Sequence, residues 1–388
     1  YYKLHDIIRV YKDKIIGDTT KFSIDNSDVI TNVKTNDVIK VNKGLVSLKV
    51  KEKKEDCILC EVIKEGFISN ESDFRIVESK FNIPFITPLD RKILKFVTEE
   101  KVDYVTLSLV NSAEDVLSIN DVLIEYNNDH TSIITKIEKE TAFLDIDEII
   151  KSSEGVMIDR ESLGVEIMPE RIPGITRSII NKCHFQSKLS LVITEMESTI
   201  VDIIPSKEQI NDIATTICDG VDAVVITGET TIGKYPVGTI NKMKKIIESS
   251  ELDINYLDFL NRTMRSEKQD VTGMIAYSVV DTASKLNSIA IVIPTISGYT
   301  AKKISRYKPN CPIIALTPNP IVAKSLGLFY GVYPILISEP KSLDAILKLS
   351  KKMVTEKINY NNGDTYVITG GYPFNEVKHT NFMRIEEL

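Results

Sequence analysis

Tryptophan is missing from this chain of 388 residues, and histidine occurs only as His5, His130, His184 and His379. The four histidines stand apart, in no spacing that suggests a metal centre or a Ser/His/Asp triad, and each reads as a surface or hydrogen-bonded polar residue. Cysteine is sparse as well. The five cysteines are odd in number and scattered, which argues against a disulfide framework and fits a reducing compartment. Cys57 and Cys60 form a CxxC without a second pair; inside an alternating strand they face opposite sides, so they read as packing. An excess of positive charge is lacking too. Lys and Arg number 48 against 55 Asp and Glu, a net charge of -7, which disfavours nucleic acid as a partner and favours small molecules. No apolar run approaches the roughly 18 to 20 residues of a membrane span, and no signal-peptide pattern opens the chain. The expectation is a cytoplasmic protein with neither membrane nor nucleic acid among its partners.

What is present is ordinary globular material, 43% hydrophobic and 27% charged, long enough for two or three domains with one of barrel size. Residues 2–13 have the look of a helix leading into KIIGDTT, a short apolar strand that ends in Asp18, Thr19 and Thr20. Short alternating runs such as DVIKV, LVSLKVKE and CILCEVI then mark a small β unit over 25–81. Its lysine-rich stretch at 49–54 alternates with acids and reads as a solvated strand face.

From Asn82 onward apolar strands alternate with amphipathic helices, which implies parallel strands. Five strand exits carry polar residues: Ser108, Lys136 with Glu138, Arg160, Thr194 and Thr227. Chemistry gathered at the C-terminal ends of parallel strands suits a (β/α)8 TIM barrel, with a doubly wound sheet as the structural rival. A second α/β set follows residue 253. The domain expectation is therefore a barrel over 1–24 and 82–252, an inserted β domain over 25–81 and a C-terminal α/β domain over 253–388.

The run GVMIDRESLGVEIMPERI, followed by LVITEMES and PSKEQINDIATTICDGVDAVVITGETTIGKYP, is similar to the pyruvate kinase family. Upstream, KVNKGLVSLKVKE resembles the family's lid-domain strands, and downstream TISGYTAKKISRYKPNCPIIALTPN resembles its C-terminal domain, so the likeness covers nearly the whole chain. The resemblance implies a TIM barrel interrupted by a mobile β lid, a C-terminal regulatory domain and a homo- or hetero-tetramer of family members. It further implies transfer of a phosphoryl group from phosphoenolpyruvate to ADP, giving pyruvate and ATP, with Mg2+ and K+. The family's Asn-Phe-Ser-His-Gly motif and the arginine holding the substrate phosphate have no counterpart in this chain. Those first barrel strands are expected to precede Tyr1, since an open barrel leaves a long unpaired edge.

Phosphoryl transfer needs a cation on the moving group, a metal bridging oxygens and a proton for the departing enolate. By resemblance Lys136 is the stabilising cation and Glu138, two residues on, is one of two Mg2+ carboxylates. Read without the resemblance, the pair is a strand-end lysine beside an acid. Thr194 in VITEM matches the family threonine beside the substrate methylene, and Ser108 stands at the exit of another strand on the substrate side. Asp18 and Thr19 match the opening of the Asp-Thr-Lys-Gly-Pro-Glu-Ile-Arg segment that helps to hold the monovalent cation.

The departures are as informative. The second metal carboxylate belongs to an Arg-Gly-Asp-Leu-Gly run that reads Arg160, Glu161, Ser162, Leu163, Gly164 here, so the aspartate has become Ser162 and a glycine has become Glu161. With an ungapped alignment, the arginine ending the Asp-Thr segment has become Asp25. Asn42, Lys43 and Gly44 stand where the lid has Asp-Asp-Gly, and Asn111 replaces an arginine. Each charge change at about 8 Å costs on the order of 2 kcal/mol at an effective dielectric of about 20. Leu163, Gly164, Gly228, Glu229, Tyr235 and Pro236 remain, the pattern of a scaffold kept and a chemistry relaxed. In the C-terminal domain Thr295, Ser297, Gly298 and Thr300 precede or open a helix, a phosphate nest where the family places a phosphorylated sugar effector, completed by a turn that here reads TGGYPFNEV. A plain helix cap is the competing reading.

Three functions compete on these grounds. They are a pyruvate kinase working with a one-carboxylate metal site, a catalytically inactive structural or regulatory subunit paired with an active paralogue, and a barrel enzyme using Lys136 as a Schiff-base amine.

Overall fold

The computed structural model describes residues 1–24, 27–42, 44–70, 72, 74–77, 85–201, 204–265, 270–339, 342–371 and 380–388. Asp25, Lys43 and positions 372–377 of the glycine-rich turn lie outside the described residues. The chain divides into two compact units, Tyr1–Thr87 with Arg160–Ile172 and Pro88–Asp159 with Pro173–Leu388.

The first unit is built on one six-stranded sheet. Its strands are β1 (Ile7–Tyr11), β2 (Lys21–Ser23), β3 (Val38–Val41), β4 (Val46–Lys53), β5 (Cys57–Lys64) and β6 (Phe74–Val77), in the order β2-β1-β5-β4-β3-β6. Val46, Leu48 and Val50 go inward from β4 at period two and meet Ile39, Val41, Ile58 and Val62. Cys57 and Cys60 are both buried, as free thiols.

The helix expected over residues 2–13 is instead strand β1, paired antiparallel with β5 through Ile8↔Cys60 and Val10↔Ile58. Ile8 and Val10 are buried while Ile7 and Arg9 are exposed, a period of two that a helix cannot satisfy. The β-branched Ile-Ile-Arg-Val run also packs better on a pleated surface than on a helix. No strand forms at KIIGDTT either; Ile16 is 92% exposed, so the apolar pair there has no ladder to enter.

The second unit holds two sheets. One contains β7 (Tyr104–Leu107), β8 (Ser132–Ile137), β9 (Gly155–Ile158), β10 (Leu189–Ile193) and β11 (Ala223–Val225), all parallel, ordered β11-β10-β9-β8-β7. Helices such as Ala113–Glu125 alternate with the strands; that one buries Val116, Ile119, Val122 and Leu123 at helical spacing and opens on Glu114 and Asp115, which favour the positive end of its dipole. The expected barrel is thus represented by five strands in an open half-barrel, without closure among the described residues. Gly155 is required where β9 meets β10, because a Cβ there would stand 2.4 Å from Leu189 Cβ.

The other sheet contains β12 (Ala290–Pro294), β13 (Ile313–Thr317), β14 (Val332–Leu336), β15 (Thr365–Gly370) and β16 (Phe382–Glu387), ordered β14-β13-β12-β15-β16 and parallel except for the last pair. Strands β12 and β13 are buried along their whole length, as expected of parallel strands covered on both faces. Ile134, Leu189 and Leu191 of the half-barrel share one core with Val279, Ile291, Ile304 and Tyr307 of the C-terminal portion. Asp222, at the entry to β11, accepts from the Ser190 amide and hydroxyl at 2.9 Å and from the ammonium of Lys308. Among the described residues no helix is long and apolar enough to cross a membrane.

Candidate active site

Strand alternation places Ile134 and Lys136 on one face of β8, and register carries that face through Met157 of β9 to Leu191 of β10. The lower residues of the face are apolar and covered. Lys136, near the C-terminal end, is the first on it to present a charge. Its Nζ lies 3.0 Å from Asp159 Oδ2 and 3.4 Å from Glu138 Oε2. Asp159 follows β9, and its amide extends the ladder by donating to Ile137 O at 3.0 Å. Glu138 follows β8 and is 2% exposed. Partial burial pulls the Lys136 ammonium down, but the hydrogen bond to Asp159 and the charge of Glu138 outweigh it, and the pKa stands above the ordinary lysine value. Lys136 is therefore held as a cation between two acids.

The rim of this cluster comes from the exit of β7. Ser108 is exposed there, and Leu109, in the left-handed region at φ 61°, donates its amide to Glu138 Oε1. A bulky residue in that conformation is strained, and the buried carboxylate is what holds it. Lys139 Nζ donates to Leu109 O at 3.2 Å and to Asn111 Oδ1 at 3.1 Å. A cation thus reaches the position where the sequence has asparagine in place of an arginine.

Thr194 sits one residue beyond β10, 1% exposed, with its amide donating to Val225 O at 2.9 Å and its hydroxyl 3.5 Å from the same oxygen. Within β10 the alternation puts Ser190 and Val192 on the side opposite Leu191, which is in register with Met157 and Lys136. The loops that follow β10 and β11 are tied by Glu229, which is 3% exposed and accepts from the amides of Met196 and Thr227. A Cβ at Gly233 would stand 2.2 Å from Glu229 O, so the turn beyond it needs glycine.

Glu161 and Ser162 lie on the helix Arg160–Glu166, in the first unit. Asp18 and Thr19 belong to the same unit, in a closed turn. Asp18 Oδ1 accepts from Thr20 Oγ1 and the Thr20 amide, both at 2.7 Å, and from the Lys21 amide at 3.1 Å, while Asp18 O accepts from Tyr2 OH. These bonds, led by the Thr20 hydroxyl, lower the Asp18 pKa.

In the C-terminal portion the Gly298 amide donates to Thr295 Oγ1 at 2.9 Å, the Tyr299 amide lies 3.4 Å from Ser297 Oγ, and Gly298 adopts φ 79°. Thr300 Oγ1 is 2.8 Å from Thr380 Oγ1, buried. Hydroxyls and amides in this loop hydrogen-bond to each other ahead of the helix Tyr299–Ser305, whose N-cap is Gly298.

Asp159 and Lys139 escaped sequence reasoning. Each is next to a residue singled out for its match to a motif, and the signal available was their position at a strand exit.

Comparison with known proteins covers most of the chain. The family profile described as "Pyruvate kinase, barrel domain" matches residues 5–240, and "Pyruvate kinase, alpha/beta domain" matches residues 273–386. The chain is 33% identical to the pyruvate kinase of Clostridium acetobutylicum over 375 residues, which is 96% of this chain and 79% of the relative. It is 34% identical to that of Clostridium perfringens over 380 residues, 97% of this chain and 80% of the relative. With the pyruvate kinase of Sporosarcina psychrophila it shares 33% identity over 381 residues, covering 97% of this chain and 65% of the relative.

Proposed function

The chain belongs to the pyruvate kinase family, and on that premise we propose that it moves the phosphoryl group of phosphoenolpyruvate to ADP, giving pyruvate and ATP, at reduced efficiency. The observation that carries the reading is Lys136 standing as a cation at the C-terminal ends of β8 and β9 with the buried Glu138 beside it. In this reading a β-phosphate oxygen of ADP attacks the phosphorus, the bond from phosphorus to the enol oxygen breaks, and the enolate takes a proton at C3. Lys136 lowers the charge on the phosphoryl oxygens as they pass between donor and acceptor, the largest contribution a protein makes to such a transfer. Thr194 is the family's counterpart for the proton step and Ser108 for the substrate rim.

Mg2+ takes one or two carboxylates together with phosphate oxygens; Glu138 is such a carboxylate by resemblance, with its Oε1 accepting from the Leu109 amide and its Oε2 facing Lys136. Glu138 would be the carboxylate that holds the ion, which would supply positive charge against the phosphate oxygens. Asp18 and Thr19 are the counterparts for K+, but Asp18 Oδ1 already accepts three donors, and no step is drawn through that ion. Glu161 and Ser162, in place of glycine and aspartate, are the reason for expecting reduced efficiency. The same two positions favour a second reading, in which the chain is an inactive regulatory subunit beside an active paralogue. A tetramer of family members, a cytoplasmic location and a phosphorylated sugar at Thr295, Ser297, Gly298 and Thr300 belong to the proposal.

A coupled assay with phosphoenolpyruvate, ADP and Mg2+, run beside calorimetric titration of phosphoenolpyruvate, tests it. Turnover that needs Lys136 supports the proposal; binding without turnover supports the subunit reading; silence in both removes the first reading.

A further inference from the structure

The geometry points to Asp159, at the exit of β9, as a positioning residue for Lys136. The inference rests on the phosphoryl-transfer reading of the site and adds a residue to it. Register pairs Lys136 with Met157 and Ile137 with Ile158, so Asp159, one residue beyond β9, arrives beside Glu138 on the neighbouring strand exit. Two acids are placed side by side there, and Lys136 Nζ bridges them, nearer to Asp159 at 3.0 Å than to Glu138 at 3.4 Å. All three side chains are at least three-quarters buried, with exposures of 23%, 11% and 2% for Lys136, Asp159 and Glu138. A lysine stem is long and freely rotating, and one partner leaves its ammonium on an arc; two partners on adjacent strands fix it at a point.

Two consequences follow from the charge balance. A phosphate approaching Lys136 must share the ammonium with Asp159, which weakens the ground-state complex. In return the ammonium keeps one position while the phosphoryl group travels, which favours the transition state over either ground state. Asp159 therefore trades affinity for rate, and the two should move in opposite directions when its charge is removed.

Full-length protein carrying Asp159→Asn, which keeps the shape, and Asp159→Glu, which keeps the charge, tests this by three measurements. In crystals of the Asn variant, Lys136 Nζ is expected to leave its wild-type position. By calorimetry with Mg2+ present, phosphoenolpyruvate is expected to bind about tenfold more tightly, the effect of removing a like charge near the phosphate. Its kcat is expected to fall about tenfold or more, as a misplaced cation predicts, with the Glu variant recovering most of both changes. An unmoved Nζ in the Asn variant, or affinity and kcat that fall together, overturns the inference. A wild-type protein that neither binds phosphoenolpyruvate nor turns over would defeat the phosphoryl-transfer reading instead, and the Nζ position in the Asn variant would still decide for or against Asp159.

Discussion

Lys308 donates its ammonium to the carboxylate of Asp222 with side chains only 2% and 4% exposed. The aspartate stands at the entry to β11 and the lysine follows the helix Tyr299–Ser305, so the pair joins the half-barrel to the C-terminal portion within one compact unit. A buried pair of this kind is weak evidence for net stability, but leaving either charge alone in the interior is costly. Asp222→Ala is expected to lower the unfolding free energy by about 3 to 5 kcal/mol. Combining it with Lys308→Met should recover a large part of that loss. Urea denaturation of the two variants provides the comparison, and equal losses would remove the coupling.

His184 lies in the same interior, with Nε2 donating to Gly220 O at 2.8 Å. Burial, reinforced by the charge of Lys308, pushes its pKa down to about 3 from 6.5. Below pH 6.5 the unfolded chain therefore takes up a proton that the folded one refuses. The stability this group confers is complete above pH 6.5 and is lost as the pH falls toward 3, at up to about 1.4 kcal/mol per pH unit. Chemical denaturation between pH 4.5 and 7.5 should show the slope in the wild type and a shallower one in His184→Gln.

Glu229, a buried carboxylate, accepts from two amides. Replacement by Ala leaves both donors without a partner, at about 1 to 3 kcal/mol each. Glu229→Ala should accordingly unfold at lower urea concentration, with faster amide exchange at Met196 and Thr227 by mass spectrometry. Unchanged exchange at both amides would contradict the tie between the two loops.

On the proposed reading, restoring the family run with Glu161→Gly and Ser162→Asp returns the family's second metal carboxylate and removes one acidic side chain. At about 2 kcal/mol per charge, the Mg2+ concentration for half-maximal binding should fall at least tenfold. Titration with Mn2+ followed by electron paramagnetic resonance measures it. An unaltered midpoint would count against Ser162 as the site of the loss.

Lys139→Met tests whether this lysine stands in for the arginine missing at Asn111. Loss of a half-buried cation at the rim should raise the KM for phosphoenolpyruvate about threefold to tenfold while leaving kcat nearly constant, since solvent screens part of the charge. A change confined to kcat would assign Lys139 elsewhere.

Alternation of strand and helix was legible in the sequence because apolar runs of four to six residues bounded by polar exits, such as those of β8 and β9, carry a strong local signal. So was the charged exit at Lys136 and Glu138. The helix expected over residues 2–13 failed because Ile7–Tyr11 is short and its partner, β5, lies some fifty residues away; a pairing so remote leaves no local periodicity long enough to read. Asp159 was invisible for a related reason. Its importance comes from register across β8 and β9, which aligns it with a residue twenty-one positions earlier, whereas reading along the chain drew the eye to Ser162.

Gly155 opposite Leu189 limits which parts of this molecule can be rewritten. Position 155 has no spare volume even for a methyl group, whereas positions 161 and 162 have exchanged glycine for glutamate and aspartate for serine relative to the family run. In a randomised library screened only for soluble expression, codon 155 should stay fixed while codons 161 and 162 diversify.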